Sequence, residues 1–258
     1  MKYQTLVVEK KDRVGLIMLN RPDHMNTFST ALAKELNAAL EELEKDGQIR
    51  VVIIKGAGKS FSAGIDITEF SGKTLLEYRE WIAWMEKMTL TIATMGKPVI
   101  AAVHGYAVAN GTGLLAACDL AIAAEGTRIG TTAINVGLFC MGPAVPLSRC
   151  VGRKKALEML LTGTMIDARE AERIGLVNKV VPPGDLDEAA MELANDLAAK
   201  SPIALQTGKR AFYTMADMEY AKALEYMNEM MAELCTTEDA KEGVDAFLNK
   251  RKPQWKER

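Results

Sequence analysis

Two short stretches, FSAGID at 61–66 and VANGTG at 108–113, each follow a run of strand-forming residues and are themselves built mostly from small ones. Loops of that composition let backbone N–H groups come close to a ligand. Two such groups converging on one point hold a developing oxyanion, and one preorganised donor contributes roughly 3 to 4 kcal/mol to it. The second stretch contains no acid or base at all. A pair of ordinary tight turns would have the same composition, so spacing alone leaves both readings open.

Other chemistries fit less well. VVIIKGAGKS runs from an apolar stretch into GKS, but a phosphate-binding loop needs glycine five residues before Gly58, where Ile53 stands, and FSAG does not open a helix. No GxSxG elbow is present for a serine nucleophile, and His24 and His104 are the only histidines. His104, at a strand end before Gly105, reads as a packed, hydrogen-bonded residue. His24, in the turn after Pro22, is either surface or functional. The four cysteines, Cys118, Cys140, Cys150 and Cys235, include no CxxC pair, so neither a metal site nor a disulfide framework is expected.

The elements that would carry these loops alternate. TLVVEKK and RVGLIMLN, separated by Lys11-Asp12, read as a hairpin, and Leu32, Leu36, Leu40 and Leu43 mark a helix from Thr30 to Asp46 capped by Ser29. VVIIKG, PVIAAV, CDLAIAA and the end of LVNKVVP read as buried strands, with a helix over about 74–95 and a helical GLLAA between them. Strands alternating with helices predict a layered α/β core, here residues 1–200, and residues 201–258 read as a helical C-terminal region. On the helix at 217–235, Ala221, Leu224, Met227, Met231 and Leu234 form a stripe at helical spacing; burial in the protein's own core is the simpler expectation, a subunit interface the alternative.

With 258 residues and a formal net charge of -2, the chain can bury a large core and has no basic field for nucleic acid. No apolar run approaches a membrane-spanning length, so a soluble, cytoplasmic protein without membrane association is expected.

Motifs along nearly the whole chain resemble those of the crotonase superfamily, the enoyl-CoA hydratase and isomerase proteins. NRPDHMNTFS resembles its NRP-x-x-x-N-A segment, FSAGIDI its F-x-A-G-A-D-I/L loop and HGYAVANG its N/H-G-x-A-x-G-G-G loop. LTGTMIDAREAERIGLVNKVVP and EGVDAFLNKRKPQW resemble the segments that close its core and end its chain. The resemblance implies a ClpP/crotonase-like fold, a superhelix of repeated ββα turns with a helical C-terminal region, assembled as a homotrimer or dimer of trimers. It implies an acyl-CoA thioester as partner, with coenzyme A arriving on the substrate and no separate cofactor or metal. The N–H groups of Ile65 and Asn110 would polarise the thioester carbonyl. The backbone from Ala63 through Asp66 and Ile67 to Thr68 would receive the adenine and pantetheine, and Phe247 and Lys250 match C-terminal residues lent to coenzyme A binding.

The departures bear on the reaction. Hydratases of the family place one glutamate three residues beyond the second oxyanion donor, where Gly113 stands, and a second where IGTTAINVG has Ala133. Asn110 replaces a loop glycine, and FCMGPA puts Cys140 and Met141 where the family has glycines. INVGLFC and the missing acids resemble the subgroup typified by enoyl-CoA hydratase domain-containing protein 3. A positioned acid or base supplies typically 10²- to 10⁴-fold, so losing two that act together is expected to remove roughly 10⁴-fold or more of a hydratase rate. Three outcomes follow from a bare oxyanion hole: decarboxylation of a malonyl-type thioester, acyl-CoA binding without turnover, or an acid or base relocated to Glu69, Asn135 or Cys140. Trp81, Trp84, Met85 and Met88 either wall the acyl pocket or belong to the core, and their helical spacing favours the core.

Overall fold

The computed structural model describes residues 3–258. The expected hairpin is present as β1 (Leu6–Lys11) paired antiparallel with β2 (Val14–Leu19). α1 (Thr30–Lys45) begins at Ser29, whose hydroxyl accepts the Leu32 N–H at 3.2 Å, and its four leucines are fully buried. β3 (Val51–Gly56), α2 (Leu75–Thr94), β4 (Val99–Val103), β5 (Tyr106–Val108), α3 (Asn110–Ala117), β6 (Leu120–Ala124) and β7 (Arg128–Gly130) follow. Then come α4 (Met141–Cys150), α5 (Arg153–Thr162), β8 (Ile166–Asp167), α6 (Ala168–Arg173), β9 (Lys179–Val181) and α7 (Leu186–Ala198). The C-terminal helices are α8 (Pro202–Met215), α9 (Tyr220–Thr236) and α10 (Glu238–Leu248).

The main sheet has the order β1-β2-β3-β4-β6-β9, parallel from β2 onward. Side chains alternate across a strand, and here both faces are covered, which is why VVII is continuously apolar. Val52 and Ile54 pack with the α1 leucines, whereas Val51 and Ile53 pack with Ala190 and Ala194 of α7.

The second strand of each later ββα turn leaves the main sheet for a smaller layer of order β5-β7-β8. Isolated bridges Phe28↔Ile65 and Ser62↔Ala107 extend this layer. Both small-residue stretches therefore lie beyond the carboxyl ends of neighbouring parallel strands, β3 and β4, where α/β sheets place ligands.

α8 is tied to the core by Lys209, whose ammonium pairs with Asp119 at 2.7 Å while the Tyr213 hydroxyl donates to the same carboxylate at 3.0 Å. The stripe on α9 differs from the simpler expectation. α9 has no buried residue; Ala221, Leu224 and Met231 are exposed and Met227 and Leu234 half-buried. Helical periodicity reports an apolar face without stating what covers it. Among the described residues no helix is long and apolar enough to cross a membrane.

Candidate active site

The two loops are laced through their backbones. Ser62 N–H donates to Tyr106 O at 3.0 Å and Val108 N–H to Ser62 O at 2.9 Å. Phe28 N–H donates to Gly64 O at 2.7 Å and Asp66 N–H to Phe28 O at 2.9 Å. In such a parallel bridge the intervening residue turns its own N–H away from the partner strand, so the Ile65 N–H is left over. Asn110 is the first residue of α3, and the first amides of a helix have no intrahelical acceptor; Gly113 is the first to bond back, to Ala109 O at 3.0 Å. Among the described residues, neither the Ile65 nor the Asn110 N–H donates to a protein group.

Glycines bring these donors together. A Cβ on Gly64, where φ is +101°, would lie 2.8 Å from Ala109 Cβ and 3.6 Å from Asn110 N. A Cβ on Gly111 would fall 2.1 Å from Ser62 O. Ala109 itself holds φ 50° and ψ -114°, a conformation that suits glycine. Strain of this kind is of order 1 to 3 kcal/mol and persists where the surroundings over-determine it. Ala109→Gly is therefore expected to raise unfolding stability by about 1 kcal/mol in a urea titration, after the added glycine entropy is subtracted.

Asp66 fixes the far side of the first loop. Its carboxylate accepts Arg21 Nη2 at 2.8 Å, the Thr68 hydroxyl at 2.7 Å and the Thr68 N–H at 3.1 Å. Burial disfavours its charge, but the hydrogen bonds from Thr68 and Arg21 outweigh burial and hold it below the usual carboxylate range. The Ala63 N–H is occupied by Met25 O at 3.0 Å, and Ile67 is exposed. Phe247 and Lys250 are not brought to this loop. Phe247 lies in the last turn of α10 and Lys250 two residues beyond its end; α10 packs on α8 and α9 and is fastened by Asp239 to Ser201, the following Trp255 bonds Ala199 O, and Phe247 is 83 % exposed.

The site nevertheless contains a carboxyl group, contributed by Glu86 of α2. The Asn110 side-chain amide donates to Glu86 Oε1 at 3.0 Å, so the residue bearing one free N–H also holds the acid. A Cβ on Gly142, in the first turn of α4, would fall 1.9 Å from the Glu86 carboxyl carbon. The group therefore fills the seam where α2 meets α3 and α4. Glu86 Oε2 is buried with no hydrogen-bond partner. Burial, opposed only by the Asn110 bond, pushes the Glu86 carboxyl up to about 7. Nothing at sequence level singles it out: it is one glutamate in the amphipathic run EYREWIAWMEKM, and only tertiary packing separates it from Glu77 and Glu80.

The relocated acids expected from sequence stand elsewhere or are inert. Glu69 accepts the Thr30 N–H at 2.9 Å and the Trp81 indole at 3.4 Å, which fastens the 3₁₀ turn at Ile67–Glu69 to the start of α1. Asn135 is exposed and lies over Gly163 at the end of α5. Cys140 is beside the site but buried; burial pushes its thiol up despite a bond from the Ala133 backbone, and Glu86 adds to the rise. It remains a packed thiol. Gly113 faces Pro143, whose ring would lie 3.0 Å from a Cβ there, and Ala133 packs against the main core. Trp81, Met85 and Met88 are core residues, while half-buried Trp84 lies beneath Lys34 and Lys87. His104 Nε2 lies 3.0 Å from Gly58 O, in the packed role expected, and His24 sits exposed in a 3₁₀ turn.

The arrangement of ββα turns, with free amides at the ends of neighbouring strands, is the crotonase fold. Its likeness to a solved enoyl-CoA hydratase from Mycobacterium smegmatis has a TM-score of 0.95 at 39 % identity, covering 98 % of this chain and 99 % of that one. Human enoyl-CoA hydratase domain-containing protein 3 superposes with a TM-score of 0.94 at 36 % identity, over 98 % of this chain and 100 % of that one. A probable enoyl-CoA hydratase from Rhizobium meliloti is 39 % identical over the full length of both chains. The family model described as enoyl-CoA hydratase/isomerase matches residues 9–258, and the chain belongs to that family of crotonase-like acyl-CoA enzymes.

Proposed function

We propose that this protein binds an acyl-CoA thioester with its carbonyl oxygen between the N–H groups of Ile65 and Asn110 and carries it through a CoA enolate. The observation that carries this reading is the pair of unpartnered amides on two loops locked in contact by Gly64 and Gly111. Both donors are fixed before substrate arrives, so little reorganisation opposes the reaction. The backbone from Ala63 to Thr68 receives the coenzyme A portion, and no cofactor beyond the coenzyme A of the substrate takes part. Phe247 and Lys250 reach coenzyme A from a neighbouring copy in a homotrimer or dimer of trimers, an arrangement consistent with their separation from the loop and with the uncovered faces of α9 and α10. Decarboxylation is one of the three outcomes expected of a hole with no carboxyl nearby; Glu86 places a carboxyl beside this one and favours proton transfer.

Calorimetric titration with butyryl-CoA tests the reading. Saturable binding of butyryl-CoA, weakened by Phe247→Ala, is expected; no heat of binding at millimolar ligand would exclude an acyl-CoA site.

A further inference from the structure

The geometry points to Glu86, entering from α2, as the catalytic acid and base of this site, moving a proton at C2 of the acyl thioester in place of the glutamates that Gly113 and Ala133 lack. This inference rests on the oxyanion-hole reading. Three observations converge on it. Glu86 Oε1 is held at 3.0 Å by the side chain of Asn110, the residue whose backbone N–H faces the thioester oxygen, so acid and oxyanion donor are registered by one residue. Oε2 is buried without a protein partner, which carries a desolvation penalty, and a catalytic role is one of the functions that retain such a group. And Gly142 lacks a side chain where a Cβ would overlap this carboxyl.

A structural carboxylate looks different in this same protein. Glu69 accepts three donors on Oε2 and Asp66 accepts donors on both oxygens, and both are held below the ordinary range despite burial that pushes the other way. Glu86 has one donor, and its titration near neutrality suits proton transfer in both directions.

The step balances within the site. The Glu86 carboxylate takes the C2 proton; the C2–H electron pair becomes the C1–C2 double bond of the enolate, and the negative charge moves to the thioester oxygen between Ile65 and Asn110. Oε2 then returns the proton to C2, or to C4 when the acyl chain is a 3-enoyl group, which yields the 2-enoyl isomer. A single carboxyl suffices for this shift, whereas adding water across a double bond also needs a group to activate the water. The substrate class is therefore a thioester with an acidic C2–H, of which 3-enoyl thioesters are the productive members.

Exchange of the C2 protons of butyryl-CoA in D2O, read by mass spectrometry, tests the assignment without requiring the natural substrate. Glu86→Gln keeps an oxygen to accept the Asn110 amide and fills the same space, so the fold is retained, as a circular dichroism spectrum would check. The wild type should exchange both C2 protons, at a rate that rises with pH through about 7 and levels off above it, the range in which the carboxylate forms. Glu86→Gln should exchange about 100-fold more slowly or worse, with no such pH step and with butyryl-CoA binding unchanged. Glu86→Asp should recover part of the rate. Wild-type exchange in Glu86→Gln, or binding of butyryl-CoA by the wild type with no exchange, would overturn the role of Glu86 and leave the oxyanion hole standing. Failure of the wild type to bind butyryl-CoA would instead remove the reading beneath it.

Discussion

Glu86→Gln is expected to be more stable than the wild type at pH 8.5, and no more than slightly different near pH 5. The Glu86 carboxyl is pushed from its ordinary 4.5 to about 7, because burial disfavours its charge. At pH values below 4.5 the group is protonated in both folded and unfolded chains and carries no penalty. Between 4.5 and 7 the unfolded chain releases this proton while the folded chain keeps it, so wild-type stability falls as pH rises, and above 7 the full penalty is present. At roughly 1.36 kcal/mol per pH unit the penalty is about 3 kcal/mol. Glutamine is neutral throughout and escapes it. Urea unfolding of both proteins at pH 5 and 8.5 checks the sign. A gap of about 3 kcal/mol in favour of the variant at pH 8.5, closing to about 1 kcal/mol or less at pH 5, is the expected result. Equal stabilities at both values would show that the carboxyl is solvated.

Gly111→Ala should be damaging both to stability and to the site. Its Cβ would lie 2.1 Å from Ser62 O, 2.9 Å from Ser62 C and 3.1 Å from Ser62 Cβ, on a backbone pinned by the bonds between Ser62 and residues 106 and 108. Neither side can yield without parting the two loops by roughly 1 Å, and overpacking of this kind costs about 3 kcal/mol or more when backbone must move. Asn110 precedes the altered residue, so its N–H moves with it, and a misplacement of about 1 Å can lower a rate by about 100-fold. Gly47→Ala serves as the control, because nothing lies within 4 Å of a Cβ there. Lower urea midpoints and lost C2 exchange in Gly111→Ala, with Gly47→Ala close to wild type, would locate the effect at the contact between loops.

The two parts of the site differ in how legible they were. The two small-residue loops could be read because they need particular residues at particular places: Gly64 for positive φ and close approach, and Gly111 for contact with Ser62. The strands beneath them could be read because burial on both faces writes an apolar run, as in VVIIKG and PVIAAV. β5, β7 and β8 were not assigned from sequence; with two or three residues each they have too few positions to show alternation. α4, α5 and α6 were likewise unassigned, and α4 carries Pro146 within it. The buried carboxyl of Glu86 escapes a sequence reading for a different reason. Family spacing directs attention to positions 113 and 133, whereas Glu86 lies on a helix that the spacing does not mark and meets Asn110 only through packing of α2 on α3. The α9 stripe shows the complementary limit, since its apolar spacing was evident and its exposure was not.

In the proposed site the Ile65 and Asn110 amides polarise a thioester carbonyl. Infrared difference spectra of butyryl-CoA labelled with ¹³C at the carbonyl, free and bound, address it most directly, because hydrogen bonds to the oxygen weaken the C=O bond. A bound carbonyl stretch shifted to lower frequency, by a similar amount in wild type and Glu86→Gln and lost in Gly111→Ala, is the predicted result. A bound thioester whose carbonyl stretch stays at its solution frequency would contradict the account.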